Sequence, residues 1–537
     1  MTLATGDTNI GIPSACMLSG IYTFNTLPSL SASTSGTTYT ALTSDQGLCH
    51  WTGAGWQPLT PTATNARRQQ NIANFLAGPL IPAPAWAATT AYVAGQMVIL
   101  ANGQHILCQT GGTSGASIPV LGGTVLDGRP LVDGTVTWYG VPYYQSTQQL
   151  SAPTVTTAST AAAAGLTETQ FIVSSVINPK LTAFGAFLGT AGGPVGYSFA
   201  SGNSLAAGNC TSQAIANGYP NTNVYNVLEY DQEFYVTDAL FGLTGVNSNV
   251  PIAVEIDGLL VYAPGTQPGG SFGNCIVFNY NGIVKRRLVR VICAAQGYVI
   301  RGVALSTIGT WEVSDTPTSD SVLMVGDSIV ATISGTYTNC AATMHPLAGY
   351  VKRLLGVSSV WGAGVAGAGY YNANPNTYNA LATMTNAANI TMFNLINPAH
   401  IVFIMGINDA IDPQNLVMAN ALASWKQARS LFPKAKITVS DGFSQATGPG
   451  TVNFTQAQNL LTQFNAWGDP NSRFIQSTSL TQNTAWVQGT AIASSALAAG
   501  NSCNYVGTDG IHPTPMGAYY LAKRLTAAMN FVWNGNY

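Results

Sequence analysis

Residues 321–333 read SVLMVGDSIVATI. Five residues suited to a buried strand run straight into Gly326-Asp327-Ser328 and then into a stretch with helical spacing. Such a junction can simply begin a helix, since Asp and Ser are good N-caps. It can also hold a serine hydroxyl up at a bend. Four further apolar runs follow it: SSVWG (358–362), HIVFIM (400–405), KITVS (436–440) and RFIQS (473–477). Between them the apolar spacing is helical. Leu347, Val351, Leu354 and Leu355 precede Gly356, a suitable C-cap. Val417, Ala421, Ala428 and Phe432 precede a proline, and Leu521, Leu525, Ala528 and Val532 follow Pro515. Five apolar strands alternating with amphipathic helices predict a parallel sheet covered on both faces over residues 320–537.

In open parallel sheets the reactive groups gather beyond the carboxyl ends of the strands. After the first run stands Gly326-Asp327-Ser328, after the second Ala363-Gly364-Val365-Ala366-Gly367, and after the third Gly406-Ile407-Asn408-Asp409. Ahead of the last helix comes Asp509-Gly510-Ile511-His512-Pro513. Each fits a role in acyl transfer. Ser328 is a nucleophile that needs a base within reach. His512 can be that base near neutral pH, and Asp509, three residues earlier, can accept from its other ring nitrogen. The Ser328 N–H, the Gly364 N–H and the Asn408 amide are candidate oxyanion donors. Asp409, His345 and His400 read as structural.

These four blocks, GDS (326–328), GAGVAG (362–367), GIND (406–409) and DGIHP (509–513), resemble the SGNH, or GDSL-type, serine hydrolases. Ile329 stands where Leu is commoner in that family, and Gly362 where Asn often precedes the oxyanion glycine. The resemblance covers 320–537. It implies a three-layer, flavodoxin-like α/β domain with a five-stranded parallel sheet, and a serine esterase that uses no cofactor and no metal.

The rest of the 537-residue chain differs in character. Charged residues make up 7% of it, against about 25% in an average soluble protein. The surface they leave is one of neutral hydroxyls and amides, suited to uncharged polar partners such as sugars. A net charge of −2 offers no footprint for nucleic acid or an anionic membrane. No run is long and apolar enough for membrane insertion, and the N-terminus carries no signal peptide. Eight cysteines, scattered singly, form no zinc-ligand spacing.

Short β-like runs with Asn-Gly, Gly-Gly and Asp-Gly turns divide the upstream chain. A small β module occupies 1–60, and 61–85 is a linker with a short helix. A second β module spans 86–144, in which Trp86 and Trp138 are candidates for stacking on sugar rings or for the module's core. Residues 145–169 read as a linker and 170–319 as a β-sandwich of jelly-roll type. Glu229, Asp231, Glu233, Glu255 and Asp257 invite a paired-carboxylate reading, and the need to keep an exposed strand face soluble explains them equally well.

SGIYTFNTLPSL (19–30) with GLCHWTGAGWQPL (47–59), and the unit from WAATTAYVAGQMVI (86–99) to DGTVTWYG (133–140), resemble small β modules of bacteriophage tail fibres and tailspikes, and a sandwich ahead of the hydrolase resembles the layout of some carbohydrate deacetylases. These resemblances imply a homotrimeric virion tail protein acting at the host cell surface. Its partners would be other tail proteins and an acetylated bacterial polysaccharide, from which it removes O-acetyl groups. Two alternatives stand beside this reading: a receptor-binding tail protein without catalysis, and a depolymerase that cuts the polysaccharide backbone.

Overall fold

The structure is a computed structural model. Apart from isolated single residues, it describes 83–117, 129–144, 152–170, 230–246, 252–262, 274–293, 299–313, 321–331, 347–357, 360–373, 379–443, 451–479, 485–489 and 500–533, together with short segments of the remaining chain. All that follows concerns these residues; His345 and most of 61–85 lie outside them.

The C-terminal domain is built on a five-stranded parallel sheet. Its strands lie side by side in the order Val360–Gly364, Val322–Gly326, His400–Ile404, Lys436–Ser440, Ser472–Ile475. The second strand in sequence is thus at one edge and the first lies inside it, the doubly wound order of flavodoxin-like folds. The strands are short and buried on both faces, and their side chains alternate between two cores. Leu323, Val325, Ile401 and Phe403 point into one; Val322, Met324, Val402 and Ile404 point into the other.

Helices Ala380–Thr385, Gln414–Leu431 and Thr451–Trp467 cover the first face through Ala380, Met384, Val417, Ala421, Trp425 and Leu460. Leu347–Leu355 and Pro515–Val532 cover the second through Leu347, Val351, Leu355, Leu521 and Leu525. Gly356 closes its helix with φ +66° and donates its N–H to Lys352 O (2.9 Å). Two strands differ from their sequence-based bounds. Val360–Gly364 runs two residues past its sequence-based end, because it pairs residue for residue with Val322–Gly326. Ser472–Ile475 ends early, because Ser477 and Thr478 leave the ladder to hydrogen-bond the buried Asp441 carboxylate.

Among the described residues, the regular structure upstream is mainly β, with helical residues at 72–73 and 75–76 and the short turn Ala162–Ala164. Five short strands between Ala4 and Pro58 form one sheet, parallel in its first two pairings and antiparallel thereafter. Residues 86–144 contribute a four-stranded antiparallel sheet around Trp138. Strands between Thr154 and Val313 form antiparallel sheets of seven and five strands. The linker assigned to 145–169 needs correction. Thr154–Ala158 pairs with Asn274–Asn279, and Thr167–Gln170 pairs with Val299–Leu305, so this segment belongs to the seven-stranded sheet. Its Thr-rich run lacks an apolar stripe because Thr satisfies strand geometry without supplying core.

The modules are joined through the helix Leu347–Leu355. Phe75 packs against the rings of Tyr350 and Tyr519. Glu255, on a strand of the five-stranded sheet, lies 3.1 Å from Arg353 of the helix and 3.6 Å from Arg290 of its neighbouring strand. All three are buried. Asp257 instead occupies a turn with φ +53° and pairs with Lys285 at 3.3 Å. The two carboxylates therefore have separate structural partners, which accounts for the spacing that suggested an acid/base pair.

Candidate active site

Ser328 begins the short helix Ser328–Ala331 one residue after the strand Val322–Gly326, and it is buried. The bend is enforced sterically and by capping. A Cβ on Gly326 would overlap Val330 and the Ile404 carbonyl, so only glycine lets the helix return this close to the strand. Asp327 accepts the Ile329 N–H at 2.9 Å. Full burial pushes its carboxyl up to about 7, with Asp409 adding repulsion and the Ile329 N–H opposing the rise.

Gly364 ends the neighbouring strand level with Gly326, and the following Val365 N–H donates to Gly326 O at 3.0 Å. On the other side Ile404 is also level with Gly326. The chain then passes through Gly406, at φ +133°, into the turn Ile407–Asp409. The Gln456 side chain holds this turn by donating to Gly406 O at 2.6 Å. Asn408 Nδ2 donates to Ala368 O at 2.8 Å, reaching across to the loop that follows Gly364. An amide nitrogen carries two protons, so one remains for another acceptor.

Asp509 and His512 form one compact turn. Asp509 Oδ1 accepts the N–H groups of Ile511 and His512, both at 3.0 Å, and Oδ2 lies 2.7 Å from His512 Nδ1. Partial burial acts to raise the Asp509 carboxyl. The Ile511 N–H, the His512 ring and the His512 N–H outweigh it and hold the group below the usual carboxylate range. Gly510 supplies the positive φ (+77°) that closes the turn. The other ring nitrogen, Nε2, is buried and meets no hydrogen-bond partner among the described residues.

The helix Pro515–Val532 carries this turn to the reactive edge. Trp533, at its C-terminal end, donates to Thr438 Oγ1 (3.0 Å) and meets His400 edge-on, and Arg473 donates to Val532 O (3.2 Å). His400 and Arg473 stand at the starts of their strands. Eighteen residues at 1.5 Å each span roughly 27 Å, whereas five-residue strands span only about 17 Å. The helix N-terminus therefore reaches the opposite edge, where the strands end. Met516 and Val506 belong to the same apolar core as Ile329 and Val330, the two residues after Ser328. Ser328, Gly364 and Asn408 thus stand at or beyond the carboxyl ends of three neighbouring strands, and the turn of Asp509 and His512 heads the helix that runs back toward that edge.

Other candidates are placed elsewhere. Trp138 is completely buried and donates its indole N–H to Asp133 (3.0 Å). It cannot stack on a sugar and instead forms the core of its module. Trp86 is half-buried against that core and donates to the same Asp133 oxygen (2.9 Å). One carboxylate oriented by two indoles is a packing device. His400 is buried, with Nε2 2.7 Å from Thr438 Oγ1, consistent with a structural role. The sequence reading missed how fully Asp409 is engaged: it is buried and accepts three successive backbone N–H groups. Gly369 was the available signal, since a Cβ there would overlap the Asp409 carboxylate.

Residues 322–525 match the family of GDSL-like lipases and acylhydrolases. This span contains all four blocks, so the C-terminal domain is a GDSL-type acylhydrolase domain and the protein is an esterase. Among solved structures, the chain is similar to an acetyl xylan esterase (Est2A) from the rumen bacterium Butyrivibrio proteoclasticus. That match is 15% identical, covers 69% of this chain and 99% of that one, and has a TM-score of 0.41. It is also similar to a family two carbohydrate esterase from Clostridium thermocellum in complex with cellohexaose (17% identical, 57% and 93% covered, TM-score 0.40). A third is a family two carbohydrate esterase from Cellvibrio japonicus (12% identical, 71% and 99% covered, TM-score 0.42). Likeness at this level does not identify a substrate. No curated protein sequence matches the chain. No helix of the described residues is long and apolar enough to cross a membrane.

Proposed function

We propose that the protein is a serine esterase that removes O-acetyl groups from a bacterial surface polysaccharide, a capsule or an O-antigen. Ser328 Oγ attacks the ester carbonyl while its proton passes to His512 Nε2. Asp509 holds the ring so that Nε2 is the free nitrogen, and it favours the imidazolium that forms. The negative charge on the carbonyl oxygen is taken up by the Ser328 and Gly364 N–H groups and the remaining Asn408 N–H. As the tetrahedral intermediate collapses, the sugar oxygen leaves with the proton from His512 and an acetyl-serine remains. Water, deprotonated by the same nitrogen, then releases acetate and restores the hydroxyl.

The observation that carries this reading is the His512–Asp509 pair: one ring nitrogen is engaged at 2.7 Å, and the other is buried with no hydrogen-bond partner among the described residues. The choice of a polysaccharide rests on the sequence, whose scarcity of charge suits neutral polar partners. The placement on a phage tail, as a homotrimer joined to other tail proteins, rests on the character of the N-terminal β modules, as does a jelly-roll-like sandwich between them and the esterase.

Hydrolysis of p-nitrophenyl acetate by wild type and Ser328→Ala tests the mechanism. Removal of the nucleophile should leave at most ~10⁻³ of the rate, and equal rates above background overturn it. Acetate release by NMR from the polysaccharide of a susceptible host, with polymer length unchanged, tests the substrate. Shortened polymer without free acetate overturns that part alone.

A further inference from the structure

We propose that Asp409 is a positioning residue for the oxyanion side of the site, acting through Asn408. The inference rests on the esterase reading and on the role given there to Asn408. Both Asp409 oxygens are engaged: Oδ2 by the Tyr370 N–H (2.6 Å), and Oδ1 by those of Tyr371 (3.0 Å) and Asn372 (2.8 Å). Three consecutive N–H groups directed at one carboxylate form a nest, a concavity that holds an anion or an acceptor oxygen. Here the occupant is a side chain of the facing loop.

The same two loops are tied twice more, and both ties run through Asn408. Its Nδ2 donates to Ala368 O (2.8 Å), and its own carbonyl accepts from Asn372 Nδ2 (3.0 Å). The turn is closed on itself by the Gly369 N–H donating to Asn372 O (2.9 Å) and by an antiparallel bridge between Ala368 and Ala373. Gly369 leaves no room for a Cβ beside the Asp409 carboxylate. The loop after Gly364 and the loop bearing Asn408 are therefore one assembly, with Asp409 at its centre. Two oxyanion donors that come from different strands keep their relative placement because this carboxylate accepts from the turn between them. In Asp409→Asn one oxygen becomes an NH₂ group facing a backbone N–H, and the nest loses an acceptor.

The test is a double-mutant cycle on p-nitrophenyl acetate with Asp409→Asn, Asn408→Ala and both together, each checked for folding by circular dichroism. Asp409→Asn should lower kcat roughly 10- to 100-fold with KM within about threefold, since displacing an oxyanion donor costs transition-state stabilisation rather than binding. In the Asn408→Ala background the same change should cost less than about threefold more. Additive losses, a kcat for Asp409→Asn within twofold of wild type, or full activity of Asn408→Ala each overturn the proposal. Should Asp409→Asn fail to fold, Asn372→Ala removes one tie to Asn408 and leaves the carboxylate in place. A loss of kcat that disappears with Asn408→Ala then supports the proposal, and an additive one overturns it. Ser328→Ala separates the two claims. If it retains wild-type activity, the esterase reading falls and takes this one with it. If it is inactive while the cycle is additive, only the positioning role falls.

Discussion

At the scale of single residues, Asp327 carries an energetic cost within the GDS turn. Its carboxyl is buried, has Asp409 as a neighbour, and titrates near 7 in the folded chain against 3.8 as its ordinary value. A carboxyl raised in this way holds its proton in the folded state after the unfolded chain has released it. Stability therefore falls as pH rises from about 4 to about 7, and the penalty is complete above that. Asp327→Asn keeps an oxygen for the Ile329 N–H and removes the charge. The variant should melt higher than wild type at pH 8, by on the order of a few kcal/mol at most. The advantage should shrink through pH 6 and vanish below about pH 4, as thermal unfolding across pH would show. A constant difference at every pH would mean that the carboxyl is not strained. Asp509 has the opposite sign: its lowered carboxyl stabilises the fold above its ordinary value, and that stability is lost as pH falls.

At the scale of elements, the site depends on how the last helix begins. Thr514 is its N-cap: Oγ1 accepts the Gly517 N–H (2.9 Å) and donates to Asn504 O (2.9 Å). Pro515 follows at the first helical position, where its missing N–H costs nothing. The cap lies two residues beyond His512, so it sets where the imidazole stands. Thr514→Ala should cost about 1 kcal/mol of stability and lower kcat, and Thr514→Ser should restore both. Melting temperature and esterase kinetics on the three proteins check this, and unchanged kcat in Thr514→Ala would disconnect the cap from the site. This helix was legible in the sequence because Pro515 and the spacing of Leu521, Leu525 and Val532 mark it plainly. The helix Thr451–Trp467 was passed over, since its polar composition gives only a weak apolar stripe. The strands at 154–158 and 167–170 were missed for a related reason: alternating Thr carries little hydrophobic signal, and pairing partners more than a hundred residues away supply the stabilisation.

At the scale of the whole molecule, an all-β region and the esterase domain share a buried ionic contact, in which Arg290 and Arg353 flank Glu255. Removing one member of such a group leaves uncompensated charge in the interior, at a cost of about 3–5 kcal/mol. Glu255→Ala should therefore lower the melting temperature and split calorimetric unfolding into separate transitions. A single unshifted transition would show that the contact does not couple the modules. By itself, the sequence determined the parallel α/β domain, the order of its strands in the chain and the four loops that bear chemistry, because burial on two faces and helical periodicity are written locally. Tertiary structure alone decided which side chains meet. Trp138 stands between core residue and sugar platform until its burial is seen, and Asp409 reads as an ordinary turn residue until three N–H groups from a loop 37 to 39 residues away close on it. Contacts of that kind depend on how distant segments pack together, and no local pattern of residue types encodes them.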